Sequence, residues 1–119
     1  LRYMALIYSV PGSSPEYGSP EFGPFMAAYQ AANERFARDG VLVAGDALEA
    51  SSTATTVTVR DGRTETLDGP FAESKEQLGG YYIFECANLD EAIRYAAMIP
   101  TAASGAVEVR PIRNLSARP

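Results

Sequence analysis

Apolar residues follow two rhythms along this chain. Positions 2–9 read Arg-Tyr-Met-Ala-Leu-Ile-Tyr-Ser, apolar on successive residues, which predicts a central strand covered on both faces. Such cover fits helices on one side and a second subunit on the other. Residues 10–19 break the run with three Ser, two Pro and two Gly and read as a loop, either a plain connection or a flap over a pocket. Helical spacing follows. Phe22, Phe25, Met26, Tyr29, Ala32, Asn33 and Phe36 fall near one face, with Gln30, Glu34, Arg35 and Arg38 largely off it. Ser19-Pro20-Glu21 predicts the helix start, with Ser as the cap, and Asp39-Gly40 its end, with Gly in the left-handed conformation.

Residues 41–48 predict a second strand, with Asp46 near its end. A carboxylate in mid-sheet is costly unless paired, so Asp46 either faces a site or caps a bulge. Residues 53–60 alternate, Asp61-Gly62 is a two-residue hairpin turn, and residues 63–67 return. This polar-faced hairpin reads as an inserted arm extending the sheet. Residues 79–85 form the next strand, Asn88-Leu89-Asp90-Glu91 a capping box, and Leu89, Ala92, Ile93 and Ala96 an apolar stripe that Pro100 ends. The last strand spans 106–113, with Val107, Val109 and Pro111 on one face and Glu108, Arg110 and Ile112 on the other. The order predicts an α+β, ferredoxin-like split βαβ sheet with an inserted β-hairpin. One domain covers residues 1–113, and 114–119 form a patternless, frayed tail.

Residues 68–82 concentrate the chemistry. Asp68-Gly69-Pro70 is turn chemistry, and Phe71 behind it is expected to plug into the domain body. Glu73, Ser74, Lys75 and Glu76 follow, and one helical turn would align Glu73 with Glu76. Lys75 is the only lysine, all other basic residues being Arg. It is either a loop lysine paired with Glu73 or Glu76, or a compact ammonium held for a ligand. Gly79-Gly80 permits close approach of backbone or ligand, and residues 81–84 read as a buried strand.

Asp68-Gly69-Pro70-Phe71, Glu73, Lys75-Glu76 and Gly79-Gly80-Tyr81 resemble the signature of the DGPF-domain proteins, a branch of the YCII-related family. The likeness continues at residues 41–45, 89–92 and 107–111, in the same order, and covers the chain from Arg2 to Ile112. The resemblance implies a ferredoxin-like fold that dimerises through its sheet, as in the dimeric α+β barrels, and hence a homodimer. Some relatives are small-molecule enzymes, and DGPF members are often encoded beside extracytoplasmic-function sigma factors, so the resemblance also implies a regulatory or stress setting, with a sigma factor as a partner. The enzymes among the relatives are expected to use a His-Asp pair. This chain has no histidine and departs from that pattern.

Composition narrows the chemistry further. In 119 residues, 46% are hydrophobic and 21% charged, which describes an ordinary globular domain. The net charge is -5 with arginines scattered singly, which argues against nucleic-acid binding. No apolar run approaches a membrane span and no leader pattern opens the chain, so a cytoplasmic location is expected. The single cysteine, Cys86, is expected to pack as a small hydrophobe after its strand. Without histidine, imidazole acid-base work and histidine-ligated zinc drop out. No cofactor and no metal are expected. For a small anionic ligand, the sequence offers Arg110 and Lys75 as the grip, Tyr8 and Tyr82 as hydrogen-bond donors, and Asp46, Asp68 and Phe71 as further lining. Asp46, Glu73 or Glu108 are the candidate bases for an isomerase- or lyase-type proton transfer. The competing readings are a binding protein without turnover and a protein-interaction module. In a purely structural reading, Arg110 and Glu108 each pair with charges on neighbouring strands or across a dimer.

Overall fold

The computed structural model describes residues 1–117. Among them the elements run β1 (Arg2–Ser9), α1 (Phe22–Arg38), β2 (Leu42–Ala47), β3 (Thr55–Arg60), β4 (Arg63–Asp68), β5 (Gln77–Glu85), α2 (Leu89–Ala96) and β6 (Ala106–Pro111). Four strands form an antiparallel sheet in the order β2-β5-β1-β6. The expected α+β, ferredoxin-like split βαβ architecture is therefore present, with its hairpin inserted between β2 and β5.

β1 takes the central position that its apolar run predicts. Its burial alternates, however. Tyr3, Ala5 and Ile7 are buried while Met4, Leu6 and Tyr8 are half-exposed. Register carries this division across the sheet. Tyr3 and Ala5 lie opposite Phe84 and Tyr82 of β5, whereas Met4 and Leu6 lie opposite Arg110 and Glu108 of β6. The first set meets the helices, where Phe36, Tyr82 and Phe84 make the aromatic centre of the core. The Phe36 ring stands edge-on to Tyr82 at 5.3 Å and to Phe84 at 4.9 Å, and Tyr82 stacks on Phe84 at 5.5 Å. The second set forms an open face that stays only part-covered among the described residues. The molecule is accordingly thin, with extents of 50 × 48 × 18 Å, about one sheet plus one helix layer.

α1 begins at Phe22 rather than at Pro20, with Glu21 in the cap position and no side-chain cap. Pro20 and Pro24 lack donors, and a turn from Phe22 N–H to the Ser19 carbonyl (3.1 Å) occupies the expected first helical turn. The Ser19 hydroxyl is buried without a partner and does not cap the helix. The helix ends as predicted. Gly40 has φ 72°, Gly40 N–H donates to the Ala37 carbonyl, and Val41 N–H donates to that of Phe36. These two bonds make a Schellman end, with Val41 packing in the same core as Phe36.

Asn88 caps α2, its Oδ1 accepting from Glu91 N–H at 2.9 Å. Glu91 reaches back to Ala87 N–H at 3.2 Å, one residue earlier than a standard capping box. The buried face of α2 differs from the expected stripe. Ala92 and Ala96 are buried, while Leu89 and Ile93 are about half exposed. Alanines let the short helix lie close to the sheet, which turns the two larger side chains outward. Ile99, just past the helix, fills the core instead. Cys86 is buried as expected, which pushes its thiol pKa up.

The hairpin does not extend the sheet. β3 and β4 form a separate two-stranded sheet, turned at Asp61 (φ 52°) and Gly62 (φ 74°), both left-handed as a type I′ turn requires. Its polar faces offer little to bury against the body, and Val57, Val59 and Leu67 stand exposed. At the other end of the chain, residues 115–117 form a 3-10 turn within the expected frayed tail. Arg118 and Pro119 of that tail lie outside the described residues.

Candidate functional site

A cavity of about 590 Å³ lies between α1 and the β2-β5-β1 end of the sheet, within the range of small-molecule sites. Its shape follows from residue size. Gly45 and Gly80 leave the floor bare where β2 and β5 meet. A Cβ on Gly45 would come within 2.7 Å of Tyr82 Cδ1, and one on Gly80 within 2.9 Å of the Asp46 carbonyl oxygen. Both glycines are thus needed for the two strands and the Tyr82 ring to approach so closely. The opposite wall comes from α1, whose Phe25 and Tyr29 rings meet edge-to-face at 5.2 Å.

Two hydrogen bonds organise the polar part. Tyr82 Oη donates to Asn33 Oδ1, tying β5 to α1. Tyr29 Oη and Thr101 Oγ1 share a 2.5 Å bond, tying α1 to the turn after α2. Burial pushes the Tyr82 phenol up to about 12, with the neighbouring Tyr29 adding to the rise. Tyr82 is therefore a neutral donor and acceptor at physiological pH, not a base.

The candidate residues from the sequence fall into three places. Tyr82 enters the cavity. Asp46 and Tyr81 border it, but they pair with each other in the ladder, next to Gly45 and Tyr82. Strand alternation therefore sends their side chains to the open face. There Tyr81 Oη donates to Asp46 Oδ2 at 2.9 Å, and that bond raises the Tyr81 pKa. This carboxylate borders the cavity and is the acceptor of a cross-strand pair. Tyr8, Glu108 and Arg110 share the open face, where Arg110 is ion-paired to Glu108. That contact pushes the guanidinium pKa up.

The third place is the arm and its loop. Asp68 closes β4, and Gly69 turns the chain at φ 99°. Phe71 is 80% exposed and does not plug into the body of this chain. Residues 71–76 form bends rather than a helical turn, so Glu73 and Glu76 are not aligned by helical geometry. Ser74 instead donates to the Glu76 carbonyl at 2.6 Å. Lys75 has no ion pair among the described residues. Arg110 and Lys75 are thus not brought together, and neither lines the cavity.

Sequence reasoning did not pick out Tyr29, Asn33 and Thr101. Tyr29 and Asn33 fall on the apolar face of the first predicted helix. The available signal was a polar amide four residues after a tyrosine on an otherwise apolar face. Thr101 follows Pro100 between the last two predicted elements, and no local pattern marks it. Among the described residues no helix is long and apolar enough to cross a membrane.

A family model described as the YCII-related domain matches residues 1–116. An uncharacterized protein of Rhizobium meliloti (strain 1021) is 34% identical over 114 residues, covering 94% of this chain and 92% of its own length. Among solved structures, 5-chloro-2-hydroxyhydroquinone dehydrochlorinase (TftG) from Burkholderia phenoliruptrix AC1100, in complex with 2,5-dihydroxybenzoquinone, superposes with a TM-score of 0.54. The match covers 98% of this chain and 97% of that one at 16% identity. At that identity the likeness shows the fold alone, the same α+β arrangement along nearly the whole of both chains.

Proposed function

The chain belongs to the YCII-related domain family, and on that premise we propose that it binds a small organic molecule in the cavity between α1 and the sheet. The cavity itself carries the proposal: it is ring-sized, aromatic on the α1 wall, bare at Gly45 and Gly80, and fitted with the Tyr82–Asn33 pair. A neighbour of the same fold is a dehydrochlorinase held in complex with a dihydroxybenzoquinone, which supports a small ligand as its occupant. Binding without turnover is the preferred reading. The Asp46 carboxylate turns away, Glu73 and Glu108 lie elsewhere, and Tyr82 holds its proton too tightly to serve as a base.

The open face supports a second element of the proposal, pairing with another copy of the chain. Met4, Leu6 and Ile83 lie half-covered at its centre, and a second sheet laid over them would bury them as a sandwich core. Sedimentation at micromolar concentration tests this. A dimer is expected, and a monomer refutes it.

The cavity is tested by a thermal-shift screen of small cyclic compounds, with 2,5-dihydroxybenzoquinone included, on wild type and Ala47→Phe. Ala47 lines the cavity beside Gly80 and is exposed, so a large side chain there occupies ligand space without entering the core. A ligand at a hundred times its dissociation constant stabilises the fold by about 2.7 kcal/mol. Stabilisation of wild type alone is the expected result. Equal shifts in both proteins would place the ligand elsewhere.

A further inference from the structure

We propose that this cavity selects an uncharged cyclic molecule carrying a carbonyl or hydroxyl group, and that Asn33 is the residue that reads that group. The inference rests on the reading of the cavity as the ligand site and names the class of ligand.

Charge is the first consideration. The polar residues around the cavity are Ser9, Ser14, Tyr29, Asn33, Tyr82 and Thr101, all neutral, with Asp46 and its partner Tyr81 at the border, so the only charge there is negative. A ligand carboxylate entering among the aromatic walls would lose its hydration and meet no cation in exchange. The cations that could have served do not line the cavity. Arg110 pairs with Glu108 on the opposite face of the sheet, and Lys75 lies in the loop after the arm. The anionic ligand expected from the sequence therefore has no grip here.

Hydrogen-bond accounting supplies the second. Tyr82 gives its only hydrogen to Asn33 Oδ1. That bond orients the amide, so the Asn33 NH₂ is left as a donor, and the Tyr82 oxygen keeps a lone pair as an acceptor. Tyr29 and Thr101 share one hydrogen bond between two hydroxyls, which leaves one O–H hydrogen of that pair. Beside Tyr82 the free capacity is the Asn33 amide as donor and one phenolic lone pair as acceptor. A ketone or aldehyde oxygen answers the donor, and a hydroxyl can answer both. Asn33 is also exposed on the α1 surface, so its side chain is reachable by an entering molecule and replaceable without opening the core.

Calorimetric titration at slightly acidic pH tests this with two probes of matched shape, neutral 4-hydroxyacetophenone and ionised 4-hydroxybenzoate. Each is titrated into wild type, Asn33→Asp, Asn33→Ser and Arg110→Ala. Wild type is expected to bind the ketone at least tenfold tighter than the carboxylate. Asn33→Asp keeps an acceptor for Tyr82 but removes the amide donor and adds a charge, and should weaken ketone binding at least tenfold. Asn33→Ser should fall between the two, and Arg110→Ala should match wild type. Equal binding of both probes to wild type would overturn the inference while leaving the cavity reading intact. Unchanged ketone binding by a folded Asn33→Asp would do the same. No binding of either probe, with no shift from any neutral ring in the screen, would overturn both.

Discussion

Replacing Gly105 with alanine should cost this fold more than most single-methyl additions. Gly105 sits immediately before β6, where the chain turns out of the Pro100–Ala103 3-10 segment into the sheet. Its N–H donates to the Thr101 carbonyl at 2.7 Å. A Cβ built on it would lie 2.2 Å from the Tyr8 carbonyl oxygen, 3.2 Å from Thr101 Cγ2 and 3.3 Å from Ser9 Cα. The first contact falls about 1 Å inside an ordinary carbon–oxygen approach. The obstructing atom is backbone, so no side-chain rotation relieves it. Either β6 retreats from β1 at the Tyr8–Ala106 end of the ladder, or the turn deforms. Overpacking costs about 1–3 kcal/mol, and a backbone obstruction belongs at the upper end. For a chain of this size that lowers the melting temperature by roughly 10 °C. Thermal denaturation followed by circular dichroism reads the change. Gly23→Ala is the control, since a Cβ there meets nothing within 4 Å and lies in α1; it should stabilise by about 0.4–1 kcal/mol. A melting temperature for Gly105→Ala within about 2 °C of wild type would refute the close approach of turn and strand.

Other consequences can be checked in the same preparations. Phe36→Ala, at a fully buried position whose ring contacts Tyr82, Phe84 and Tyr95, should cost about 3–5 kcal/mol in urea denaturation. Asn88→Ala removes the α2 cap and should cost about 1 kcal/mol in the same assay. Tyr82, with its phenol pushed up to about 12, should give an ultraviolet titration step well above the usual phenol range, and Tyr82→Phe should remove it. Its folded value is raised above the unfolded one, so its contribution to stability is intact below pH ~10 and declines as pH rises toward 12. Hydrogen bonds from Arg35 and Tyr95 hold Asp39 below the usual carboxylate range. Its contribution is present above the unfolded value and lost as pH falls through the folded one. Asp39→Asn should therefore flatten the acid limb of the stability curve, and an unchanged limb would count against that pairing.

The sheet and helices were legible because they are written in local patterns. The apolar run of residues 2–9, the Asp39-Gly40 helix end, the Asn88 cap and the Asp61-Gly62 turn each combine a residue type with the backbone geometry it favours. What the hairpin would do was not legible. Alternation at residues 53–60 predicts a strand, but whether that strand joins a sheet depends on what lies beside it. The candidate site was read only in part, for a related reason. Residue types such as Arg110, Glu108 and Asp46 advertise chemistry, yet the face they occupy depends on register, and one position along a strand moves a side chain through the sheet. Tyr82 and its neighbour Tyr81 show the difference most directly. They are adjacent and identical in type, yet one reaches the cavity and the other the open face. Asn33 was hidden by its surroundings, because a single amide in an apolar helical stripe is indistinguishable from core until its partner is placed.

The central place of β1 also sets an order of events during synthesis. Its two neighbours are β5, which begins at Gln77, and β6, which begins at Ala106. During synthesis β1 stays without a ladder until β5 has been made, and its second flank stays open until β6 has. Helix α1 and the β3-β4 hairpin can form meanwhile from local contacts alone. The sheet that supports them cannot, because every pairing of β1 closes a loop of some seventy residues or more. Until β5 arrives, residues 2–9 have no partner strand, which makes the late closure of the sheet a step exposed to misassembly.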